Sequence, residues 1–182
     1  MHWFRSGLKI KLPSLRHIFF AGEPLPDYLV EKWREVTCAQ VNNFYGQTET
    51  TLAKSSCPID SALQSNTVMP IGSPISDAQL LIVNKSGDQC GVGEMGEITI
   101  RTPYMSMGYI NSRDKIFEQH KWSGSSDDVL YRTGDLGRYR PDGLIEILGR
   151  KDHQIKIRGV RVDKNEVAAA IVNETQITDC AV

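Results

Sequence analysis

Long apolar runs are missing from this chain. No stretch of its 182 residues reaches the roughly 20 apolar residues of a membrane span, and the start MHWFRSGLKIKLPSL lacks the continuous apolar region of a signal peptide. The expected location is therefore cytoplasmic, with no membrane partner. Charge of one sign is missing too. Lys and Arg number 21 against 22 Asp and Glu, a net charge of −1, so no field draws in nucleic acid. Paired cysteines are absent: Cys38, Cys57, Cys90 and Cys180 stand apart with no C-x-x-C, which reads as reduced thiols in core or loops. His2, His17, His120 and His153 are as scattered, which argues against zinc. Asn84-Lys85-Ser86 and Asn173-Glu174-Thr175 match the glycosylation pattern, but without secretion they read as chance. There is no internal repeat.

What is present is punctuated periodicity, in a chain long enough to bury a sizeable core. His17-Ile18-Phe19-Phe20-Ala21 before Gly22 predicts a short strand buried on both faces. Asp27 can cap a helix from Tyr28, with Leu29, Val30, Trp33 and Val36 on its apolar face and Glu31, Lys32, Arg34 and Glu35 toward water. Ala39 to Phe44 then reads as a second strand, ended by Gly46. Strand, helix and strand make a βαβ unit with parallel strands and a right-handed crossover. In such sheets ligands bind outside the carboxyl ends of the strands, so the segments AGEPL and FYGQTETT are expected to face one crevice. In the second segment Tyr45 offers a face for stacking, Thr48 a hydroxyl for a phosphoryl oxygen, and Glu49 a hard oxygen for Mg²⁺. Gly46 lets the backbone come close. Composition alone favours a polar turn instead.

From Pro70 onward the pattern is β-rich. Gln79 to Val83, a turn at Asn84-Lys85-Ser86-Gly87, and Glu97 to Arg101 predict half-buried antiparallel strands, with Ile98 and Ile100 inward. Arg138 to Gly149 predicts a hairpin around Pro141-Asp142-Gly143. Apolar residues are odd-numbered before Gly159 (Ile155, Ile157) and even-numbered after it (Val160, Val162), which demands a turn or bulge there. Asp163 and Glu166 suit a capping box for a helix whose apolar face holds Val167, Ala170 and Ile171. Gly149-Arg150-Lys151-Asp152-His153 reads as a linker between two packing units, although Arg150 and Lys151 suit a solvated face equally.

Four segments in order carry a resemblance. Asn43-Phe44-Tyr45-Gly46-Gln47-Thr48-Glu49 is similar to N-x-Y-G-x-T-E, and Gly93-Glu94-Met95-Gly96-Glu97 through Gly108-Tyr109 to G-E-x-G-E…G-Y. Tyr131-Arg132-Thr133-Gly134-Asp135-Leu136 matches Y-R-T-G-D-L, and Gly149 to Gly159 matches G-R-x-D-x-Q-x-K-I-R-G. Together they resemble the adenylate-forming superfamily: adenylation domains of nonribosomal peptide synthetases, acyl-CoA synthetases and luciferases.

The resemblance implies a mixed α/β fold. Residues 1–151 would be part of the large subdomain, a parallel βαβ unit plus an antiparallel barrel-like region, and residues 152–182 would begin the small mobile subdomain. It implies ATP and Mg²⁺, an amino or carboxylic acid activated as an acyl-adenylate, and a phosphopantetheine thiol on a carrier protein as acceptor. Neighbouring synthetase domains would be partners. CoA is the acceptor in the acyl-CoA ligase alternative, and a non-catalytic remnant or interaction module is another reading. Tyr45 would stack on adenine with Asn43 at its edge, Gly22 and Gly46 would let the backbone approach, and Thr48 would touch the α-phosphate. Glu49 would hold Mg²⁺, Asp135 with Arg150 would grip the ribose, and Asp152 would be the hinge. Phe19, Ala21, Phe44, Leu52 and Ala53 would line the acyl pocket in part.

Two departures stand out. No Ser/Thr/Gly-rich phosphate loop precedes AGE; Ser123-Gly124-Ser125-Ser126 lies in the wrong place and reads as a flexible loop. The lysine expected near the end of the small subdomain is not reached by Val182. The chain is thus expected to be the central and hinge portion of such a domain, unable to adenylate alone. Gln47 stands where proline is frequent, and Asn165 and Ala168 depart from the usual helix opening.

Overall fold

The computed structural model describes residues 11–60, 63, 67–110, 116–119, 128–152, 154–157, 160–174 and 180. Strand β1 (His17–Phe20) lies parallel to β2 (Gln40–Gln47), with Ile18 opposite Val41 and Phe20 opposite Asn43. Helix α1 (Asp27–Val36) connects them. The sheet continues antiparallel through β3 (Leu52–Ile59) to β4 (Ser73–Pro74). The apolar face of α1 is the predicted one: Leu29 and Val30 pack with Leu25, Val41, Cys57, Ile59 and Met69, and Ile18, Phe20 and Trp33 close the edge of the cluster.

Three local expectations are corrected here. First, β1 is not buried on both faces. It is the edge of its sheet among the described residues, α1 covers one side only, and Phe19 on the other side is 60% exposed. Second, the cap of α1 is Pro26; Asp27 is the first helical residue, with its carboxylate on the Tyr28 N–H at 2.6 Å. An acidic side chain in the first turn still favours the helix dipole. Third, β2 does not end at Gly46 but runs to Gln47, with a register shift between Tyr45 and Gly46. Glycine is required at that bulge because a Cβ there would lie 1.8 Å from the Leu52 carbonyl oxygen.

The second sheet holds β5 (Gln79–Val83), β6 (Gly96–Arg101), β7 (Phe117–Gln119), β8 (Val129–Tyr139) and β9 (Ile145–Arg150). Its strands are antiparallel, in the order β5-β6-β8-β7 with β9 also on β8. The first part of β8 thus pairs with β7 and the second with β9, while β6 runs along its other side. The predicted hairpin forms, with Tyr139 opposite Ile145 and Asp142 holding both Arg140 and the Leu144 N–H. Strand β6 is not half-buried as predicted: Glu97 and Thr99 are 7% and 1% exposed, as enclosed as Ile98 and Ile100. Glu97 tolerates this because Arg132, Lys151 and the Gly134 N–H all bond its carboxylate, at 3.1, 3.3 and 3.2 Å. Tyr45 of the first sheet inserts into the core of the second, beside Ile71, Leu80, Ile82, Ile98, Ile100 and Ile145. That side chain joins the two sheets.

Beyond Asp152, β10 (Gln154–Ile157) and β11 (Val160–Asp163) pair antiparallel with Ile157 opposite Val160 and Ile155 opposite Val162. Pairing odd with even residues is what a two-residue connection produces, which accounts for the parity change. Gly159 itself lies outside the described residues, as do Ser123-Gly124-Ser125-Ser126 and His153. Helix α2 (Lys164–Glu174) starts with the Asp163 carboxylate on the Asn165 N–H at 2.8 Å. Glu166 makes no return bond among the described ones; the Asp163 backbone is already paired opposite Gln154. Val167 and Ile171 are half-buried but Ala170 is exposed, and no α2 residue is fully buried. Among the described residues no helix is long and apolar enough to cross a membrane.

Candidate functional site

The carboxyl ends of β1 and β2, the β9 end and β10 enclose a cavity of about 450 Å³. Gly22, Asn43, Tyr45, Gly46, Asp135, Arg150 and Asp152 line it, with Phe44, Gln154 and Lys156. Their meeting follows from topology. The parallel pair sets Gly22 and Gly46 at one edge, and the pairing of Asp135 with Arg150 in the β8–β9 ladder carries both charges there.

Asp135 is the centre of the polar network. It is 5% exposed. Its Oδ2 accepts from the Tyr45 hydroxyl at 2.6 Å and from Gln47 Nε2 at 2.8 Å, and its Oδ1 accepts from Arg150 Nη1 at 2.6 Å. Burial first, and the Asp135 charge second, push the Tyr45 phenol well above its ordinary value, so it stays a donor. Arg150 also forks onto Asp152, with Nε on Oδ1 and Nη2 on Oδ2, both at 2.6 Å. That fork holds the Asp152 carboxyl below the usual carboxylate range. Between the two acids Gly134 has φ +74°, and a Cβ there would lie 2.6 Å from Arg150 Nη2. Asn43 donates to the Pro70 carbonyl at 2.9 Å, and its Oδ1 has no described protein donor.

Thr48 and Glu49 sit on a 3-10 turn, Thr48–Thr50, and do not line this cavity. Thr48 is exposed while Glu49 is 5% exposed. The Glu49 carboxylate accepts from the Tyr109 hydroxyl and, at 3.0 Å, from Arg161 Nη1 of β11. Burial raises its pKa, but the Tyr109 hydrogen bond and the Arg161 charge outweigh that and hold it below the ordinary value. Of the five expected acyl-pocket residues only Phe44 lines the cavity. Phe19 stacks on Phe44 with ring centroids 5.3 Å apart, from the outer face of β1. Ala21 is exposed, Leu52 is 77% exposed, and Ala53 is half-buried.

Sequence reasoning missed Gln47, Glu97, Lys156, Arg161 and Tyr109 as parts of this network. Lys156 lines the cavity, and burial lowers its pKa. Its one signal was its place in the motif that contains Arg150, and that of Gln47 was its standing where proline is frequent in the motif around Tyr45.

A family model described as "AMP-binding enzyme" matches residues 3–110, more than half of the chain. The chain belongs to the AMP-binding enzyme family. Within it, the chain is 41% identical over 174 residues to a linear gramicidin synthase protein of Brevibacillus parabrevis, covering 92% of this chain and 3% of that protein. To a mycosubtilin synthase protein of Bacillus subtilis it is 41% identical over 180 residues, covering 96% and 7%. A crystal structure of the Vibrio cholerae adenylation domain AlmE in complex with glycyl-adenosine-5'-phosphate superposes with a TM-score of 0.83 at 30% identity, covering 99% of this chain and 34% of that one. PA1221, a peptide-synthetase protein containing adenylation and PCP domains, gives 0.81 at 26% identity, covering 92% and 34%. The chain therefore spans a small part of these synthases and about a third of these adenylation proteins.

Proposed function

We propose that this member of the AMP-binding family is part of an enzyme that uses ATP to activate an amino or carboxylic acid as its acyl-adenylate and passes the acyl group to a phosphopantetheine thiol in nonribosomal peptide synthesis. The observation that carries this reading is the buried Asp135 carboxylate, held by Tyr45, Gln47 and Arg150 at the edge of a cavity whose volume suits a nucleoside. A nucleoside brings a diol and a flat base with an exocyclic amine, and the lining offers acceptors for the hydroxyls and the amine and an aromatic face for the base. Asp135 Oδ1 has room for a ribose hydroxyl beside Arg150, Tyr45 presents an aromatic face, and Asn43 Oδ1 is placed for an exocyclic amine. Gly22 and Gly46 keep the walls low. The likeness to PA1221, which contains adenylation and PCP domains, favours a carrier-bound thiol over CoA as acceptor.

Thr48 would donate its exposed hydroxyl to the α-phosphate. Glu49 is the candidate Mg²⁺ ligand, and it fits in part. It supplies one hard oxygen, Arg161 and Tyr109 now hold that carboxylate, and no metal-holding group of three acidic, His or Cys side chains occurs among the described residues. Mg²⁺ would draw its other ligands from phosphate and water, and would supply charge neutralisation there. The attacking carboxylate needs no general base, so the chain's own task is to bind and orient. Phe44 and Phe19 would flank the acyl group, and residues 152–182 would begin the mobile subdomain with Asp152 as pivot. Free thiols at Cys38, Cys57, Cys90 and Cys180 suit a reducing cytoplasm.

Calorimetric titration of the chain with AMP tests this. AMP binding that falls at least about tenfold in Tyr45→Ala and Asp135→Asn is the expected result, a loss of one stacking face or one charged hydrogen bond. No binding by the unaltered chain, or binding by both variants as tight as that of the unaltered chain, overturns it.

A further inference from the structure

Gln47 is the last residue of β2 and is 5% exposed. Its amide cannot turn over freely. The side-chain oxygen accepts the Thr50 backbone N–H, and the Thr50 hydroxyl in turn accepts from the Gln47 backbone N–H at 3.4 Å and donates to the Gln47 carbonyl at 3.1 Å. With the oxygen so occupied, the Nε2 must face the other way, onto Asp135 Oδ2 at 2.8 Å, 88 residues along the chain. Each end of one amide thus holds a different part of the site: the turn that carries Thr48 and Glu49, and the acid of the cavity.

The hydrogen-bond inventory of Asp135 gives this a consequence. A carboxylate oxygen has about two acceptor sites. Oδ2 has both filled, by Tyr45 and Gln47, whereas Oδ1 has one filled, by Arg150. The acceptor left for a ligand is therefore on Oδ1, and the plane of the carboxylate is set by three donors, two from β2 and one from β9. Proline, frequent at this position in the family that the sequence resembles, has no such donor.

We infer that Gln47 is a positioning residue: it fixes the Asp135 carboxylate so that Oδ1 alone meets a sugar hydroxyl, and it ties that orientation to the Thr48–Thr50 turn. The inference rests on the nucleotide reading above. Its signature is selectivity for the sugar, since a ligand without ribose hydroxyls does not use Oδ1.

The test is titration of the intact chain with AMP and with 2',3'-dideoxyadenosine monophosphate, for the unaltered protein, Gln47→Met, Gln47→Asn, Asp135→Asn and Gln47→Met with Asp135→Asn, each checked by thermal melting. For Gln47→Met and Gln47→Asn the expected result is AMP binding weakened about 5- to 20-fold with the dideoxy ligand changed less than about 2-fold, the scale of one hydrogen bond to a charged group felt indirectly. The double variant should bind AMP no more weakly than Asp135→Asn. Equal losses for the two ligands, no loss, full additivity, or failure of both Gln47 variants to fold would each reduce Gln47 to a structural role and overturn the inference. If Asp135→Asn lowers the ratio of AMP to dideoxy affinity and the Gln47 variants leave it unchanged, the inference fails and the nucleotide reading stands. If Asp135→Asn also leaves that ratio unchanged, or the unaltered chain binds neither ligand, both fall.

Discussion

Glu49 shows why single residues were the hardest scale to read. A carboxylate in a glycine- and threonine-rich segment suggests an ion, yet in the fold it meets Arg161, 112 residues away, and Tyr109. Its folded pKa lies below the ordinary 4.5, so its contribution to stability is complete above that unfolded value and disappears as pH falls through the folded one. Arg161→Ala is therefore expected to lower stability by about 1–2 kcal/mol at pH 7, the range for a partly exposed charged hydrogen bond. The difference from the unaltered chain should vanish in acid, once pH has fallen through the folded value. Urea midpoints at neutral and acid pH check this, and a difference that persists in acid would mean that packing, not charge, is lost. The same substitution leaves the Glu49 carboxylate to Tyr109 without a competing cation, so Mg²⁺ affinity should rise, measurable by calorimetry. Tyr45 and Asp135 were legible because their motifs are local. Gln47, Glu97 and Thr99 were not, since a polar residue in a strand reads as facing water until its distant donors are known.

At the level of elements, the periodicities were sufficient wherever pairing partners were near in sequence. The βαβ unit, the strands from Gln79 and Glu97, and the hairpin at Pro141-Asp142-Gly143 follow from apolar spacing and turn residues. The exposure of β1 did not, because an apolar run gives the same pattern at the edge and at the centre of a sheet. The bulge of β2 is the element on which site geometry depends most. Gly46→Ala must open the β2–β3 pairing, since its Cβ has nowhere to go, and a loss of about 3 kcal/mol or more is expected in denaturant unfolding, together with loss of AMP binding. Gly134→Ala should behave differently. Its Cβ meets the Arg150 guanidinium and the Asp152 carboxylate, so nucleotide affinity should fall at a stability cost of only about 1–2 kcal/mol, the strain of a left-handed non-glycine residue. Parallel AMP titration and melting separate the two; equal behaviour of both variants would contradict this distinction.

For the molecule as a whole, two sheets share one core through Tyr45, and one cavity lies where they meet. His17 and Phe19 of β1 and Phe44 of β2 form a stacked aromatic row, beside a strand edge that is unpaired among the described residues. Such surfaces promote association. Light scattering of the isolated chain should therefore show concentration-dependent self-association that Phe19→Glu reduces, and unchanged association in that variant would point to another surface. Arg150 has a larger consequence, since it grips Asp135 with one nitrogen and Asp152 with two. A ligand that drew on Asp135 would compete for the guanidinium that also holds Asp152, and by thermodynamic reciprocity the proposed swing of the segment beyond Asp152 would then change the affinity for that ligand by the same factor. If the proposed pivot at Asp152 holds, a single guanidinium would make occupancy of the cavity and posture of the C-terminal segment two readings of one equilibrium.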